Sequence, residues 1–283
     1  MTVDRVRFDA DADGRGGVTI VVDGHPQSHV ASADPGLLVF EYVQLLALVV
    51  SVMRPAAPTP TRATHVGGAG LTLARWIQHT RPGSSQIVFE PDATLTALVR
   101  ERLPLPRGHR IRVRPLGGRE GVAGLGAGSA DVLVLDAYAA GRVPAELVTP
   151  AFLADVARAL APGGVLLANL ADEPGLRYVA RVLASIEAAG FGAPVILAPH
   201  EVLKGRRFGN VVVVANRSAE AGQPTRSALN SQALRRAVAS APVPTGIREG
   251  GEVSRLVAGA RAFTEADAQP SPEPPTPGTW RRR

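Results

Sequence analysis

Two carboxylates are the side chains of this sequence best placed to do chemistry. Asp136 directly follows the apolar run 132–135, and Glu90 directly follows the predicted buried strand 86–89. A carboxylate at the end of a buried strand can accept a proton from an attacking amine or hold a cationic substrate. Asp136 is therefore the candidate catalytic residue, although an aspartate at this position can also simply cap the next turn.

A glycine-rich turn precedes Glu90 by about 20 residues, the spacing at which nucleotide-binding α/β folds place a ribose-binding acid. The turn contains Gly67, Gly68 and Gly70, and it separates an extended stretch, 64–66, from a helical pattern. Glycine lets the backbone approach a ligand closely, and the following helix offers free N–H groups and its positive dipole end. The order strand, turn, helix, strand and acid predicts a nucleoside-binding α/β domain, whereas the turn alone could equally have no ligand.

The elements that would position these residues alternate along the chain. Strands are predicted over residues 64–66, 86–89, 111–115, 131–135, 164–169, 194–197 and 210–215, with helices over 71–80, 94–103, 150–160 and 176–190. Such alternation predicts a doubly wound, mostly parallel sheet. The last two strands are joined without a helix and are predicted to form an antiparallel hairpin, which makes the last strand antiparallel.

Composition divides the chain into four predicted segments. They are an N-terminal β-hairpin module (1–33), a nucleoside-binding domain (34–217), a C-terminal extension (218–270) and a disordered tail rich in proline and arginine (271–283). The most apolar stretch, 37–53, is predicted to be a buried helix that Asp34 and Pro35 cap and start. Within the extension, residues 232–240 are predicted to be helical and residues 254–262 to form a short element.

Charge and residue usage exclude several classes of function. The 283 residues carry a net charge of +6, yet Lys204 is the only lysine and the arginines are scattered, so nucleic-acid binding is not expected. The chain has no cysteine, and its six histidines lack metal-ligand spacing, so no metal site is expected. The N-terminus has no signal-peptide pattern and no stretch suits a membrane span, which predicts a cytoplasmic protein.

The ordered motifs together resemble the polyamine aminopropyltransferase (spermidine synthase) family, and within it the spermidine-synthase-like proteins of actinobacteria. The matching stretches are DGHPQSHV at 23–30, VGGAGLTLAR at 66–75, VFEPD at 88–92, ADVLVLDAY at 130–138, LAPGGVLLANLAD at 160–172, GRRFGNVVVVA at 205–215 and FTEADAQPSP at 263–272. The resemblance implies a β-hairpin domain followed by an S-adenosylmethionine-methyltransferase-type Rossmann fold. It also implies a homodimer that moves an aminopropyl group from decarboxylated S-adenosylmethionine to putrescine.

Four side chains match functional positions of that family. The resemblance implies that Gln27 contacts the aminopropyl end of the cofactor and that Glu90 binds its ribose. It implies that Asp136 receives the proton of the attacking amine and that Pro144 lines the nucleoside pocket. Pro144 lies one residue further from Asp136 than in the family pattern.

Other positions depart from the family pattern. Gly70 stands where family enzymes carry an amine-binding aspartate, and Ala139 stands where they carry a second acid. The aspartate-glycine pair that holds the adenine amino group falls on Gly117 and Gly118. A diamine carries two positive charges, so one remaining acid should bind it weakly. Nucleoside binding is therefore predicted to be kept in part and putrescine recognition to be largely lost.

Three hypotheses follow for the function. The first is an aminopropyltransferase-like enzyme with Asp136 as base. The second is a methyltransferase that uses intact S-adenosylmethionine on a small molecule. The third is a family member that binds a nucleoside without catalysis.

Overall fold

The computed structural model describes residues 5–12, 16–217, 229 and 231–275 of the chain. The strands are Val6–Ala10 (β1), Gly17–Val22 (β2), His25–Ala31 (β3), Arg62–Val66 (β4), Ser85–Phe89 (β5), Ile111–Arg114 (β6), Ala130–Leu135 (β7), Leu160–Asp172 (β8), Val195–Pro199 (β9), Gly209–Asn216 (β10) and Thr245–Arg248 (β11). The helices are Glu41–Val52 (α1), Thr72–Thr80 (α2), Ala93–Arg102 (α3), Gly118–Ala123 (α4), Pro150–Ala159 (α5), Arg177–Ala188 (α6), His200–Leu203 (α7), Ser231–Ala239 (α8) and Gly251–Val257 (α9).

The central sheet has eight strands in the order β11-β9-β10-β8-β7-β4-β5-β6. Strands β4 to β8 run parallel, whereas β10 pairs antiparallel with both β8 and β9. The predicted doubly wound sheet with an antiparallel hairpin at its end is therefore confirmed. The chain moves outward from β4 through β5 to β6 and then returns to β7 beside β4, so the order of strands reverses between β4 and β7. Ligands of such sheets bind at this point.

Two apolar layers cover the faces of the sheet, which explains why its strands β7, β8 and β10 contain long apolar runs. Successive side chains of β7 point to opposite faces. Val132 and Val134 pack in the layer that contains α1, α2 and α8, and Leu133 and Leu135 pack in the layer that contains α5 and α6. Both layers fix β7, so the residue that follows it has a defined position.

The three N-terminal strands form a separate antiparallel sheet in the order β1-β2-β3. This sheet buries Ile20, Val22 and Val30 against one face of α3. Its strand β3 also contacts the first turn of α2, because the hydroxyls of Ser28 and Thr72 lie 2.8 Å apart. The small sheet is thereby held over the glycine turn between β4 and α2.

The first long helix begins later than the sequence predicts. Asp34 does not cap it, because its carboxylate accepts the backbone N–H of Gly36 and its carbonyl accepts that of Leu37. This local turn satisfies Asp34 in place of a helix cap. Helix α1 starts at Glu41 and has 12 residues, and none of the helices in the described part of the chain is long and apolar enough to cross a bilayer.

The C-terminal part contains more structure than the sequence predicts. The helix predicted at 232–240 corresponds to α8, and the element predicted at 254–262 corresponds to α9. Strand β11, which pairs with β9, is not predicted from the sequence. Outside the C-terminal part, helix α4 is not predicted either. The prediction of disorder from residue 271 is wrong for its first residues. Ser271 is fully buried, and its backbone and side chain both bond to the backbone of Val143. The rest of the predicted tail, 276–283, lies outside the described residues.

Candidate functional site

The glycine turn and Asp136 meet at the reversal point of the sheet. The turn follows β4 and Asp136 follows β7, and the backbone N–H of Asp136 donates to the carbonyl of Val66 at 2.9 Å. Gly67 has a φ of +96°, and a Cβ there would overlap the carbonyl oxygen of Asp136. Glycine is required at this position because the two strand ends come so close together.

Glu90 is bonded directly to the glycine turn. Its Oε2 atom accepts the backbone N–H groups of Gly68 at 3.0 Å and of Ala69 at 3.1 Å, while Oε1 accepts that of Asp92 at 3.0 Å. A carboxylate offers about four acceptor positions. Three are taken by the backbone, so an acceptor position remains for a ligand hydroxyl, and the turn N–H groups are not free for a ligand anion.

Asp136 lies among neutral hydrogen-bonding groups. The side-chain amide of Asn169 donates to its Oδ1 atom at 2.8 Å, and the hydroxyl of Tyr42 on α1 also bonds to the carboxylate. Burial raises the pKa of the Asp136 carboxyl to about 6, although the hydrogen bonds from Asn169 and Tyr42 lower it. A carboxyl with this pKa is ionised at neutral pH and can still take up a proton, as a general base requires.

Tyr138 and Asn210 extend this group of side chains. The Tyr138 hydroxyl donates to the main-chain oxygen of Asn169 at 3.2 Å, and the Asn210 amide donates to the Tyr138 hydroxyl at 3.1 Å. Burial and the nearby Asp136 raise the pKa of both Tyr42 and Tyr138, so both stay protonated donors.

No role for Tyr42, Tyr138, Asn169 or Asn210 is predicted from the sequence. The position of the two asparagines along their strands could have indicated that they belong to the site. Asn169 lies in the last third of an apolar strand, and Asn210 opens an antiparallel strand, which begins at the edge where the parallel strands end.

Gln27 is the extra residue of a β-bulge in the small sheet. The register shifts there, because Ile20 pairs with Ser28 whereas Val21 pairs with Pro26. A bulge redirects its extra side chain, and bulges are common beside active sites. Ser28, next to Gln27, reaches the glycine turn, where a Cβ at Gly70 would lie 2.8 Å from its hydroxyl. The contact of Gln27 with a cofactor remains a prediction.

Gly118 and Pro144 border the same region, and Gly117 is more open. A Cβ at Gly118 would overlap the Val66 side chain, while one at Gly117 would meet nothing within 4 Å. Pro144 is half-buried and precedes a short 3-10 turn, Ala145–Leu147. These positions are compatible with a pocket beyond the end of β4, and their roles in binding remain predictions.

Two other polar residues near the strand ends have structural partners. Asp172 is fully buried and accepts the backbone N–H groups of Glu173 and Val179. His65 is buried against Gln86, and burial lowers its pKa to about 4. Within the described residues, no group of three or more histidine, aspartate or glutamate side chains could hold a metal ion.

The chain is similar in sequence to the polyamine aminopropyltransferases of two Neisseria meningitidis strains. Each match is 26% identical over 162 residues, which is 56% of this chain and 57% of the relative. The match thus spans little more than half the length of these curated relatives. No family model matches the chain.

Solved structures extend the similarity to almost the whole chain. One similar structure is that of a probable spermidine synthase from Corynebacterium glutamicum, which is 29% identical in sequence and has a TM-score of 0.81. The alignment covers 92% of this chain and 92% of that chain. The similarities in sequence and in fold together support a spermidine-synthase-family protein. A spermidine synthase in complex with the transition-state analogue AdoDATO shares the fold at 17% identity, with a TM-score of 0.62 over 91% of this chain and 87% of that chain. The family predicted from the motifs is thereby confirmed, together with the methyltransferase-type fold.

Proposed function

We propose that this chain transfers an aminopropyl group from decarboxylated S-adenosylmethionine to an amine, with Asp136 as the base. The observation that carries the proposal is the position of Asp136, whose carboxyl has a pKa of about 6 and lies beside the glycine turn that Glu90 holds. Glu90 would accept a ribose hydroxyl at its remaining acceptor position. Gln27, Gly67, Gly68, Gly117, Gly118 and Pro144 would line the rest of the nucleoside pocket.

The reaction needs a deprotonated and aligned amine. The lone pair of the amine attacks the methylene carbon bonded to the sulfonium, the carbon–sulfur bond breaks, and its electrons stay on sulfur in the leaving methylthioadenosine. The new carbon–nitrogen bond makes the nitrogen cationic, and Asp136 accepts one of its protons. Tyr42 and Asn169 keep the carboxylate oriented by donating to it.

The acceptor would be an amine with a single charged nitrogen. Asp136 is surrounded by the neutral groups Tyr42, Tyr138 and Asn169. Gly70 leaves no room for a further acid, since a Cβ there would lie 2.7 Å from Ile20 and 2.9 Å from Val30. One carboxylate matches one ammonium, so a monoamine would be preferred to a diamine such as putrescine.

The test combines calorimetry with a product assay. The protein is titrated with methylthioadenosine, S-adenosylmethionine and its decarboxylated form, and methylthioadenosine release is then followed with monoamines and diamines. Release that Asp136→Asn abolishes without loss of nucleoside binding would support the proposal. Preference for the intact cofactor would indicate methyl transfer instead, and no binding of any of the three would contradict both enzyme hypotheses. The predicted cytoplasmic location and homodimer remain predictions.

A further inference from the structure

We propose that Asn210 is a positioning residue for Asp136, acting through Asn169. Asn210 fixes the orientation of the Asn169 side-chain amide, so that Asn169 always presents its NH₂ group to the Asp136 carboxylate. The role of Asp136 as a base belongs to the proposed function. The orientation of the two amides is a property of the folded chain and can be measured without substrate.

The contacts form a short relay. Asn169 Nδ2 donates to Asp136 Oδ1 at 2.8 Å, and Asn169 Oδ1 accepts from Asn210 Nδ2 at 2.9 Å. Asn169 is 1% exposed, so its amide has little access to water as an alternative partner. Both polar atoms of this side chain are therefore used, one toward Asp136 and one toward Asn210.

A second bond sets the orientation of Asn210 itself. The same Nδ2 atom lies 3.1 Å from the Tyr138 hydroxyl, and that hydroxyl is 3.2 Å from the main-chain oxygen of Asn169. The main-chain oxygen can only accept, so the Tyr138 hydroxyl donates to it and accepts from Asn210. Both hydrogens of the Asn210 NH₂ group are then used, which leaves the Asn210 amide a single favourable orientation.

Reversing the Asn169 amide would create two repulsive contacts. Its NH₂ group would face the NH₂ group of Asn210, and its oxygen would face the Asp136 carboxylate. Without Asn210, the first of these contacts disappears and a protonated Asp136 could donate to a reversed Asn169. Asn210 thus favours the state in which Asp136 is an ionised acceptor.

The geometry of the sheet places Asn210 where it can do this. β10 runs antiparallel to β8, and Asn210 pairs with Ala171, so Asn169 is its diagonal neighbour on the same face. The titratable groups that face Asp136 from the surrounding elements are Tyr42 on α1 and Tyr138 after β7. Neither can replace the Asn210 amide at the Asn169 oxygen without losing its own contact.

The test is a titration of the Asp136 carboxyl carbon by ¹³C NMR in protein labelled at its aspartates, with Asp136→Asn to assign the signal. Asn210→Leu should raise the midpoint by about one pH unit, because the Asn169 amide can then reverse and is no longer an obligatory donor to the carboxylate. Asn210→Ser, whose short side chain is easily accommodated, should raise it in the same direction. Asn216→Leu, at the other end of β10, is the matched control and should leave the midpoint unchanged.

A double variant distinguishes an indirect effect from a direct one. If Asn210 acts through Asn169, adding Asn210→Leu to Asn169→Leu should cause no further shift of the midpoint. Equal midpoints in the wild type and both Asn210 variants would overturn the proposal, and so would a shift that persists in the Asn169→Leu background. Because no substrate is present, failure of aminopropyl transfer would leave this result unaffected.

Discussion

The Oε2 atom of Glu90 accepts the backbone N–H of Gly68 at 3.0 Å, so the strand-end acid and the glycine turn form one hydrogen-bonded unit. Two features that are 22 residues apart in the sequence thus define one position in space. A change in the Glu90 carboxylate should alter the turn as well as any direct contact with a ligand.

Glu90→Gln should weaken methylthioadenosine binding by roughly 10- to 100-fold, because charge-assisted hydrogen bonds become neutral ones and the single amide oxygen cannot accept from both the turn N–H groups and that of Asp92. Calorimetric titration measures the change. Glu101→Gln, at an exposed position on α3, is the matched control and should bind like the wild type. Equal affinity in all three proteins would exclude Glu90 from the nucleoside site.

Asp136→Asn should abolish turnover and also stabilise the protein at neutral pH. Loss of a general base costs roughly 100-fold or more in rate. The pKa of Asp136 is about 6 in the folded protein, above its ordinary value of 3.8. The folded state therefore binds the proton more tightly, and raising the pH from about 4 to about 6 lowers the free energy of unfolding.

Asparagine removes this pH-dependent penalty. The variant should exceed the wild type by about 3 kcal/mol at pH 7.5, and the difference should vanish below about pH 4. Urea denaturation at pH 4 and pH 7.5 compares the two proteins. A difference that is the same at both pH values would show that the pKa of Asp136 is not raised by folding.

The alternation of strands and helices predicted the main sheet well, because β7, β8 and β10 are buried on both faces and contain long apolar runs. The start of α1 could not be predicted in the same way. Asp34 and Pro35 are typical both of a helix start and of a turn, and local sequence does not distinguish the two. Ser271 shows the same limit, since its partner Val143 is 128 residues away and composition alone indicates disorder.

The candidate site was predictable where spacing reflects the fold, as for Glu90 after the glycine turn and Asp136 after an apolar strand. Asn210 was not, because its contact with Asn169 depends on the register of two strands that are antiparallel. The crowding at Gly70 was also hidden, since the side chains around it come from the separate N-terminal sheet. The sequence pattern therefore did not predict contacts between elements that are distant in the sequence.

Gly70→Asp should not restore diamine binding, although it returns the acid that the family carries at this position. The new Cβ would lie 2.7–2.9 Å from side-chain atoms of Ile20, Ser28 and Val30, so these side chains must move. Overpacking of this kind costs about 1–3 kcal/mol, and thermal denaturation should show the loss. Gly126→Asp is the control, because a Cβ there would meet nothing within 4 Å. A stable Gly70→Asp protein that binds putrescine would contradict this account of the site.

Phe263→Ala should destabilise the protein strongly, because this residue anchors the C-terminal segment onto α6. Its ring is 1% exposed, lies 5.7 Å from the ring of Tyr178 and is covered by the Arg181 guanidinium at 3.9 Å. Loss of a buried phenylalanine costs about 3–5 kcal/mol, which urea denaturation can measure. Arg261→Ala removes an exposed neighbouring side chain and should cost less than about 0.5 kcal/mol.

The same substitution should act at a distance on the loop after Asp136. The anchored segment continues to Ser271, whose hydroxyl accepts the backbone N–H of Val143 at 2.9 Å and whose carbonyl accepts from Arg142 at 2.5 Å. Releasing Phe263 weakens these bonds, because the segment loses its fixed starting point. Hydrogen exchange at the Val143 amide should therefore be faster in Phe263→Ala than in Arg261→Ala. Equal exchange in both variants would show that Ser271 holds the loop without help from Phe263.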